Sequence, residues 1–280
     1  MLMKAHAKIN LSLDIVGKRA DGYHLLEMIM QSVELHDDVH IREISEGITV
    51  TCDKEYVPVD ERNIAYRAAK LLMDVKGIES GVQIDIIKRI PVAAGLAGGS
   101  TDAAAVLVGM NDLFDLKMSR EELMALGLTL GADVPFCIEG GTCLCEGVGE
   151  KITPLAPFRD QIVLLIKPSF GVSTKDAYGA FELDKINRHV DTPTLIEAMG
   201  QGDLKRMNYY ARNLLENVVI KRYPVIKSIK QSLTRSGSVI TLMSGSGPTV
   251  YGVFDDYTVA ENAARILHRG GNEVILTRTI

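Results

Sequence analysis

The residues best suited to chemistry lie in Pro91 to Ala104, which reads Pro-Val-Ala-Ala-Gly-Leu-Ala-Gly-Gly-Ser-Thr-Asp-Ala-Ala. Gly95, Gly98 and Gly99 fall within five residues, after the alternating apolar positions Val82, Ile84 and Ile86 and before a helical stretch. A strand, a glycine-rich loop and a helix N-terminus in that order suit an anion. The first-turn N–H groups point out of the helix end, the macrodipole adds positive charge there, and glycines admit a bulky phosphate close to the backbone. A nucleotide polyphosphate is the expected guest. The order Gly-x-x-x-x-Gly-Lys-Ser/Thr of a P-loop and the order Gly-x-Gly-x-x-Gly of a dinucleotide fingerprint are both missing. A tight turn followed by a capped helix is the blander reading, and three glycines with Ser100 and Thr101 make it the weaker one.

Other candidates stand apart from the loop. Residues 5 to 15 alternate, with Ala5, Ala7, Ile9, Leu11, Leu13 and Ile15 on one face and His6, Lys8, Asn10, Ser12 and Asp14 on the other. Lys8 and Asn10 therefore project side by side, and a solvated face is the ordinary explanation of such a row. Arg19-Ala-Asp-Gly-Tyr-His24 carries an Asp-Gly turn with an aromatic and a histidine behind it. Asp133, in Gly131-Ala-Asp-Val-Pro-Phe136, is flanked by apolar residues between a helix end and an expected strand. Partial desolvation there would raise its affinity for a proton or cation, and a turn or capping aspartate is the equal alternative. A second glycine loop, Ser244-Gly-Ser-Gly-Pro248, joins two expected strands. It reads either as a plain hairpin turn or as a wall of the nucleotide site.

The elements that must position these residues follow from periodicity and punctuation. Strands are expected at 28–35, 39–44, 48–51 and 82–90. A helix with Ile64, Ala68, Leu71, Leu72 and Val75 at helical spacing is capped by Asp60 or Asn63 and ended by Gly77. A helix from about Thr101 follows the loop, and Ser119 with Glu122 forms a capping-box pattern for a helix closed by Gly131. A hairpin is expected over 142–155, then the strand 162–166. Helices are expected at 174–182, 193–200, 203–219 and 223–236, with Pro193 and Pro224 in tolerant first-turn positions. The tail reads strand, strand, helix, strand, which suggests a helix layer on an antiparallel sheet. The chain's 280 residues exceed one usual core, and two domains are expected, 1–157 and 158–280, joined near Pro154 to Pro157.

Composition narrows the class. Hydrophobic residues make up 46% and charged residues 24% of the chain, as in ordinary globular enzymes. No segment approaches the roughly 20 apolar residues of a membrane span, and the charged N-terminus carries no export signal, so a cytoplasmic protein is expected. A formal net charge of −5 disfavours nucleic acid as a partner. Cys52, Cys137, Cys143 and Cys145 contain no Cys-x-x-Cys pair and are expected to be reduced structural thiols, Cys143 and Cys145 on one strand face. The histidines at 6, 24, 36, 40, 189 and 268 show no metal-ligand spacing.

Three separated motifs resemble one family. Pro91 to Ala104 is similar to the phosphate loop of the GHMP kinases, and Ala5-His-Ala-Lys-Ile-Asn10 and Ser244-Gly-Ser-Gly-Pro-Thr249 resemble that family's first and third motifs, in order and spacing across nearly the whole chain. Arg19 to His24 and Leu128-Thr-Leu-Gly-Ala-Asp-Val-Pro135 most resemble the branch acting on a cytidine diphosphate-linked methylerythritol in the non-mevalonate route to isoprenoid precursors. The resemblance implies an α+β fold, with an N-terminal nucleotide domain of the ribosomal-protein-S5-domain-2-like type, a C-terminal ferredoxin-like domain and a substrate cleft between them. It implies ATP with Mg2+ as donor and phosphorylation of the substrate's 2-hydroxyl. It assigns Asp133 as catalytic acid/base with Lys8 as its partner, and Pro91, Val92, Ala93, Ala94, Gly95, Leu96, Ala97, Gly98, Gly99, Ser100 and Thr101, with Asn63 at adenine, as the ATP site. Asn10, Tyr23, His24 and Tyr178 are the implied substrate contacts, with Phe181 as the alternative to Tyr178 for the second cytosine-stacking ring. Ser100 is either a hydroxyl on the metal side or a helix cap. Ala97 and Thr101 stand where many relatives carry more glycine or a second serine. The competing readings are a GHMP kinase for homoserine, mevalonate or a sugar, which leaves Asp-Gly-Tyr-His unexplained, and a silent nucleotide-binding protein, against which intact Lys8 and Asp133 argue.

Overall fold

The computed structural model describes residues 1–268 and 271–280. They fall into two compact units, and the chain passes between them several times. Met1–Ala7, Leu35–Val92 and Ala97–Gly140 form the first; Lys8–Glu34, Ala93–Leu96 and Gly141–Ile280 form the second. Two long strands, β1 (Leu2–Lys18) and β2 (His24–Ile44), contribute to both.

In the first unit β3 (Ile48–Cys52) runs parallel to β4 (Gly81–Ile87), which pairs antiparallel with the later half of β2, Val39 opposite Ile86. Helix α1 (Ile64–Lys76) buries Ala65, Ala68, Ala69 and Leu72, a single stripe at helical spacing. Asn63 caps its start and Gly77, left-handed at φ 64°, ends it. Helix α2 (Gly98–Leu113) is rich in small residues and packs against α1. Helix α3 (Arg120–Leu130) opens with the expected capping box between Ser119 and Glu122. Val39, Ile41, Val82, Ile84, Leu107 and Met110 form the centre of this core.

Residues 134–139 depart from the expected strand and form a short helix, α4 (Val134–Glu139). The cause is local: Pro135 occupies a first-turn position, where its fixed φ suits a helix and its missing N–H costs nothing.

In the second unit β5 (Thr142–Gly147) pairs antiparallel with β6 (Lys151–Pro154) and with the early half of β2, Met28 opposite Cys145. Cys143 and Cys145 are buried on one face, and the four cysteines are free thiols. A second, antiparallel sheet has the order β10 (Glu273–Arg278), β7 (Ile162–Lys167), β9 (Val250–Phe254), β8 (Ile240–Met243). Helices α9 (Val225–Arg235) and α10 (Tyr257–Leu267) lie on it, the helix layer expected of the tail. Short helices α5 (Thr174–Gly179) and α6 (Thr192–Gly200) precede them.

The expected single helix over 203–219 is two, α7 (Leu204–Tyr210) and α8 (Glu216–Arg222). Between them the chain extends and pairs with β1: Leu13 N–H donates to Arg212 O at 2.8 Å and Leu214 N–H to Leu13 O at 2.9 Å. Backbone groups claimed by a distant strand cannot also serve an intrahelical ladder. Among the described residues no helix is long and apolar enough to cross a membrane.

Candidate active site

The solvated-face reading of β1 is overturned. Lys8, Asn10, Ser12 and Asp14 are all buried, at 4% exposure or less. Polar groups removed from water must find partners, and these do within the second unit. Lys8 Nζ donates to Asn10 Oδ1 at 2.7 Å, and the buried Tyr251 hydroxyl donates to Asn10 O at 2.9 Å. Ser12 Oγ accepts Ile29 N–H at 3.1 Å, and Asp14 accepts Val190 N–H at 2.6 Å.

The same unit brings the two glycine loops together. Ser244 Oγ donates to Gly95 O at 2.9 Å, Thr249 N–H to Ala94 O at 3.3 Å, and Lys8 N–H to Leu96 O at 3.2 Å. Gly95 has φ 76°, and a Cβ placed on it would lie 2.3 Å from the Ser244 carbonyl oxygen. A left-handed backbone and that approach both demand glycine. A Cβ on Gly245 would stand 3.3 Å from Lys8 Nζ and 3.5 Å from Asn10 Oδ1. Residues 244–248 are therefore more than a hairpin turn: they roof the Lys8 ammonium and seat residues 94–96 of the first glycine loop.

A second cluster in this unit is aromatic. His24 stacks on Tyr178 with ring centroids 5.5 Å apart and planes at 30°, while Phe181 meets His24 edge-on at 6.2 Å. Burial, with the nearby charge of Lys18, holds the His24 imidazole below its ordinary pKa. Tyr23 is 65% exposed and takes no part in this stack. Its turn forms as expected: Gly22 is left-handed, and Tyr23 N–H donates to Asp21 Oδ1 at 3.2 Å.

In the first unit α2 begins at Gly98, after a left-handed Ala97, with no side-chain capping bond. Thr101 N–H closes the first helical bond on Ala97 O at 2.9 Å, and Thr101 Oγ1 donates to His6 O at 2.8 Å. Ser100 is therefore not a cap, and the N–H groups of Gly98, Gly99 and Ser100 precede the helical ladder. The helix end keeps the donors an anion needs. Asn63, by contrast, spends its amide on structure, accepting from Ala65 N–H at 2.9 Å and donating to Pro58 O at 2.7 Å. One amide hydrogen is left over.

Asp133 occupies the N-cap position of α4 and makes no capping bond, which removes the capping alternative. Its turn adjoins the start of α2, since a Cβ on Gly131 would lie 3.9 Å from Ser100 Oγ. Asp133 and Lys8 belong to different units.

Sequence reasoning missed a buried charge cluster beneath the loop. Lys88 Nζ donates to Asp37 and, at 2.8 Å, to Asp102 Oδ2; Asp37 Oδ1 also accepts the N–H groups of Arg89 and Ile90, at 2.5 and 2.8 Å. All three side chains are at most 5% exposed. A Cβ on Gly98 would stand 3.2 Å from the Lys88 ammonium, so the cation sits directly under the first turn of α2. Two carboxylates share one cation, and burial pushes Asp102 up to about 7 against the pull of Lys88. Asp102 Oδ1 is buried without a hydrogen-bond partner. A signal was present in the sequence, as Lys88 and Asp102 flank a stretch that after Arg89 holds only apolar or small residues.

Comparison with known proteins gives the class. The model of the GHMP kinases N terminal domain matches residues 63–141, and that of the GHMP kinases C terminal domain matches residues 195–273. The chain belongs to the GHMP kinase family and has its two-domain α+β fold; it is an enzyme, a phosphotransferase. Within that family it is 53% identical, over all 280 residues and the full length of both chains, to a 4-diphosphocytidyl-2-C-methyl-D-erythritol kinase of Clostridium botulinum (strain Kyoto / Type A2). It also matches a crystal structure of 4-(cytidine 5′-diphospho)-2C-methyl-D-erythritol kinase, with TM-score 0.86, 32% identity and coverage of 100% of this chain and 99% of that one. A homoserine kinase from Cytophaga hutchinsonii, at TM-score 0.74, 19% identity and coverage of 98% and 95%, shares the fold.

Proposed function

We propose that this protein transfers the γ-phosphoryl group of ATP to the 2-hydroxyl of 4-diphosphocytidyl-2-C-methyl-D-erythritol, a cytoplasmic step toward isoprenoid precursors. The observation that carries the reading is the full-length 53% identity to a relative of that name. The geometry of each unit is consistent with it. An uncapped helix start suits the ATP phosphates. The His24–Tyr178 stack suits a flat cytosine ring, with Tyr23 exposed to close on it. Phe181 is buried at 8% exposure, which makes Tyr178 the better second stacking ring. The family models fall on either side of 157/158, and that boundary is proposed for the two domains.

The roles follow from charge. Asp133, not engaged in capping, accepts the proton of the substrate hydroxyl while its oxygen attacks the γ-phosphorus and ADP leaves. Lys8, held by Asn10 and shielded from water, presents its ammonium to the transferring group as negative charge gathers there, and low local dielectric strengthens that interaction. Asn10, fixed at both its carbonyl and its amide oxygen, orients the methylerythritol end. The remaining amide hydrogen of Asn63 is the proposed adenine contact.

Among the described residues no group of three His, Cys, Asp or Glu side chains is arranged to hold a metal. Mg2+ binds largely through substrate phosphates and water with one or two protein oxygens, and the Ser100 hydroxyl is its proposed ligand. When bound, Mg2+ neutralises charge on the phosphates.

The test is ADP release from Mg-ATP with the cytidine substrate, beside homoserine, mevalonate and galactose, for wild type and Asp133→Asn. Turnover confined to the cytidine substrate is expected. Asp133→Asn should keep ATP affinity and lose turnover by about a hundredfold or more, the scale of general-base removal. Turnover only with another acceptor moves the protein elsewhere in the family; near-normal turnover in the variant removes the base role.

A further inference from the structure

The loop that roofs Lys8 is held by residues with no role in the scheme above. Asn213 is 4% exposed, in the stretch where the chain leaves α7 to pair with β1. Its amide is fully used: Nδ2 donates to Met243 O and to Gly245 O, both at 2.7 Å, and Oδ1 accepts Leu215 N–H at 3.0 Å. One turn on, Glu216 Oε1 accepts Met243 N–H at 2.8 Å, and Oε2 pairs with Lys230 Nζ at 2.5 Å. Asn213-x-x-Glu216 thus grips Met243 by both its backbone groups and Gly245 by its carbonyl. Beyond that grip lie the ammonium of Lys8, on which Gly245 packs, and the Gly95 carbonyl, bonded to Ser244 Oγ.

We propose that Asn213, assisted by Glu216, is a positioning residue for phosphoryl transfer, fixing Gly245 against Lys8 and, through Ser244, the carbonyl of Gly95. The inference rests on the reading of Lys8 as part of the reacting site. Its chemistry is specific to asparagine. Two carbonyl oxygens and one N–H must be satisfied by one short side chain, and only an amide offers two donors and an acceptor at that length. Aspartate has no donor and would set negative charge against two carbonyls; serine has one donor. Asn213 is itself anchored through Arg212 and Leu214, whose backbones bond to Leu13 of β1, the strand that carries Lys8. Loop and lysine are therefore referenced to one strand, the arrangement a displacement-sensitive step requires.

The experiment compares Asn213→Ser, Asn213→Asp and Glu216→Gln with Leu233→Ala, a buried residue of α9 outside the grip. Steady-state kinetics and hydrogen exchange of the 243–249 segment are read at a fixed interval below each variant's Tm. Asn213→Ser should lower kcat by about 10- to 100-fold, the scale of a misplacement near 1 Å. KM for the acceptor should change less than kcat, since the helix that carries Tyr178 meets the loop only at the Thr174 to Ser246 hydroxyl bond, 2.8 Å, and not at the carbonyls that Asn213 holds. Exchange at Ser244 and Gly247, whose N–H groups bond to Thr249 O and Ser244 O, should accelerate. Glu216→Gln keeps an acceptor for Met243 N–H but turns an amide donor toward Lys230, and should lower kcat less than Asn213→Ser does. Equal kcat loss in Leu233→Ala, or unchanged exchange in Asn213→Ser, overturns the proposal. Should Asn213→Asp fail to fold, the serine variant decides. Should wild type turn over none of the acceptors, the functional reading fails while the exchange measurement still decides whether Asn213 holds the loop.

Discussion

Gly95→Ala tests the close contact between the two glycine loops. The added Cβ would lie 2.3 Å from Ser244 O, a backbone atom, and 3.0 Å from Gly247 O. Backbone cannot rotate away as a side chain can, so Ser244 must retreat by roughly 1 Å to reach an ordinary contact. Three costs arise: alanine at positive φ, about 1 kcal/mol; the Ser244 Oγ to Gly95 O bond, about 1 kcal/mol; and the strain of moving a loop held at both ends, roughly another 1 kcal/mol. A total of about 3 kcal/mol lowers Tm by about 5 °C or more in a chain of this size. The same retreat shifts the roof over Lys8 and should lower kcat/KM for ATP by about a hundredfold. Differential scanning fluorimetry and the ADP-release assay read both effects. Gly200→Ala is the control, a helical glycine at the end of α6 with no atom within 4 Å of the added Cβ. Gly95→Ala with the Tm and ATP kinetics of Gly200→Ala would refute the close packing of the loops.

Lys88→Met should destabilise the fold by about 3–5 kcal/mol, because it leaves Asp37 and Asp102 buried without their cation; a variant melting within 2 °C of wild type, on the rough scale of 2–4 °C per kcal/mol, would contradict the cluster. Asp102 gives a pH signature. Its pKa is about 7 in the fold against 3.8 ordinarily, so the unfolded chain is the stronger acid. The contribution is full below the unfolded value and is lost as pH rises through the folded one. Between pH 4.5 and 7.5 it lowers stability by up to about 1.4 kcal/mol per pH unit. Urea titrations should show Asp102→Asn flattening that slope, and an identical slope would show that Asp102 is already ionised throughout. Tyr178→Leu should raise KM for the cytidine substrate about tenfold or more, the worth of one base–aromatic stack, while Phe181→Leu raises it less; the reverse order would exchange their roles.

Much of the site was readable from residue order because its chemistry is local. A helix start that is to take a phosphate needs glycine where backbone must approach the guest, and Gly95, Gly98 and Gly99 mark the candidate loop from residue order alone. Helix ends were equally local. Asn63 with Gly77, and Ser119 with Glu122, bound α1 and α3 through hydrogen bonds spanning two to four residues. Alternation placed Lys8 and Asn10 side by side on one strand, and the motif resemblance implies Lys8 as the partner of Asp133 and Asn10 as a substrate contact.

Tertiary structure decided what depends on a partner far along the chain. The polar row of β1 looks like a solvated face until Tyr251 and Val190, more than 170 residues away, bond to Asn10 and Asp14. The helix expected over 203–219 has unobjectionable propensity and is broken by Leu13, which claims the backbone of Arg212 and Leu214. The burial of Lys88 and Asp102 has no local sign because Asp37, which completes their cluster, is 51 residues from Lys88. Sequence determined the type of each reactive group through its short-range context. Which groups lose water and acquire a fixed partner was set by long-range pairing, because desolvation is a property of the packed volume and not of the neighbouring residues.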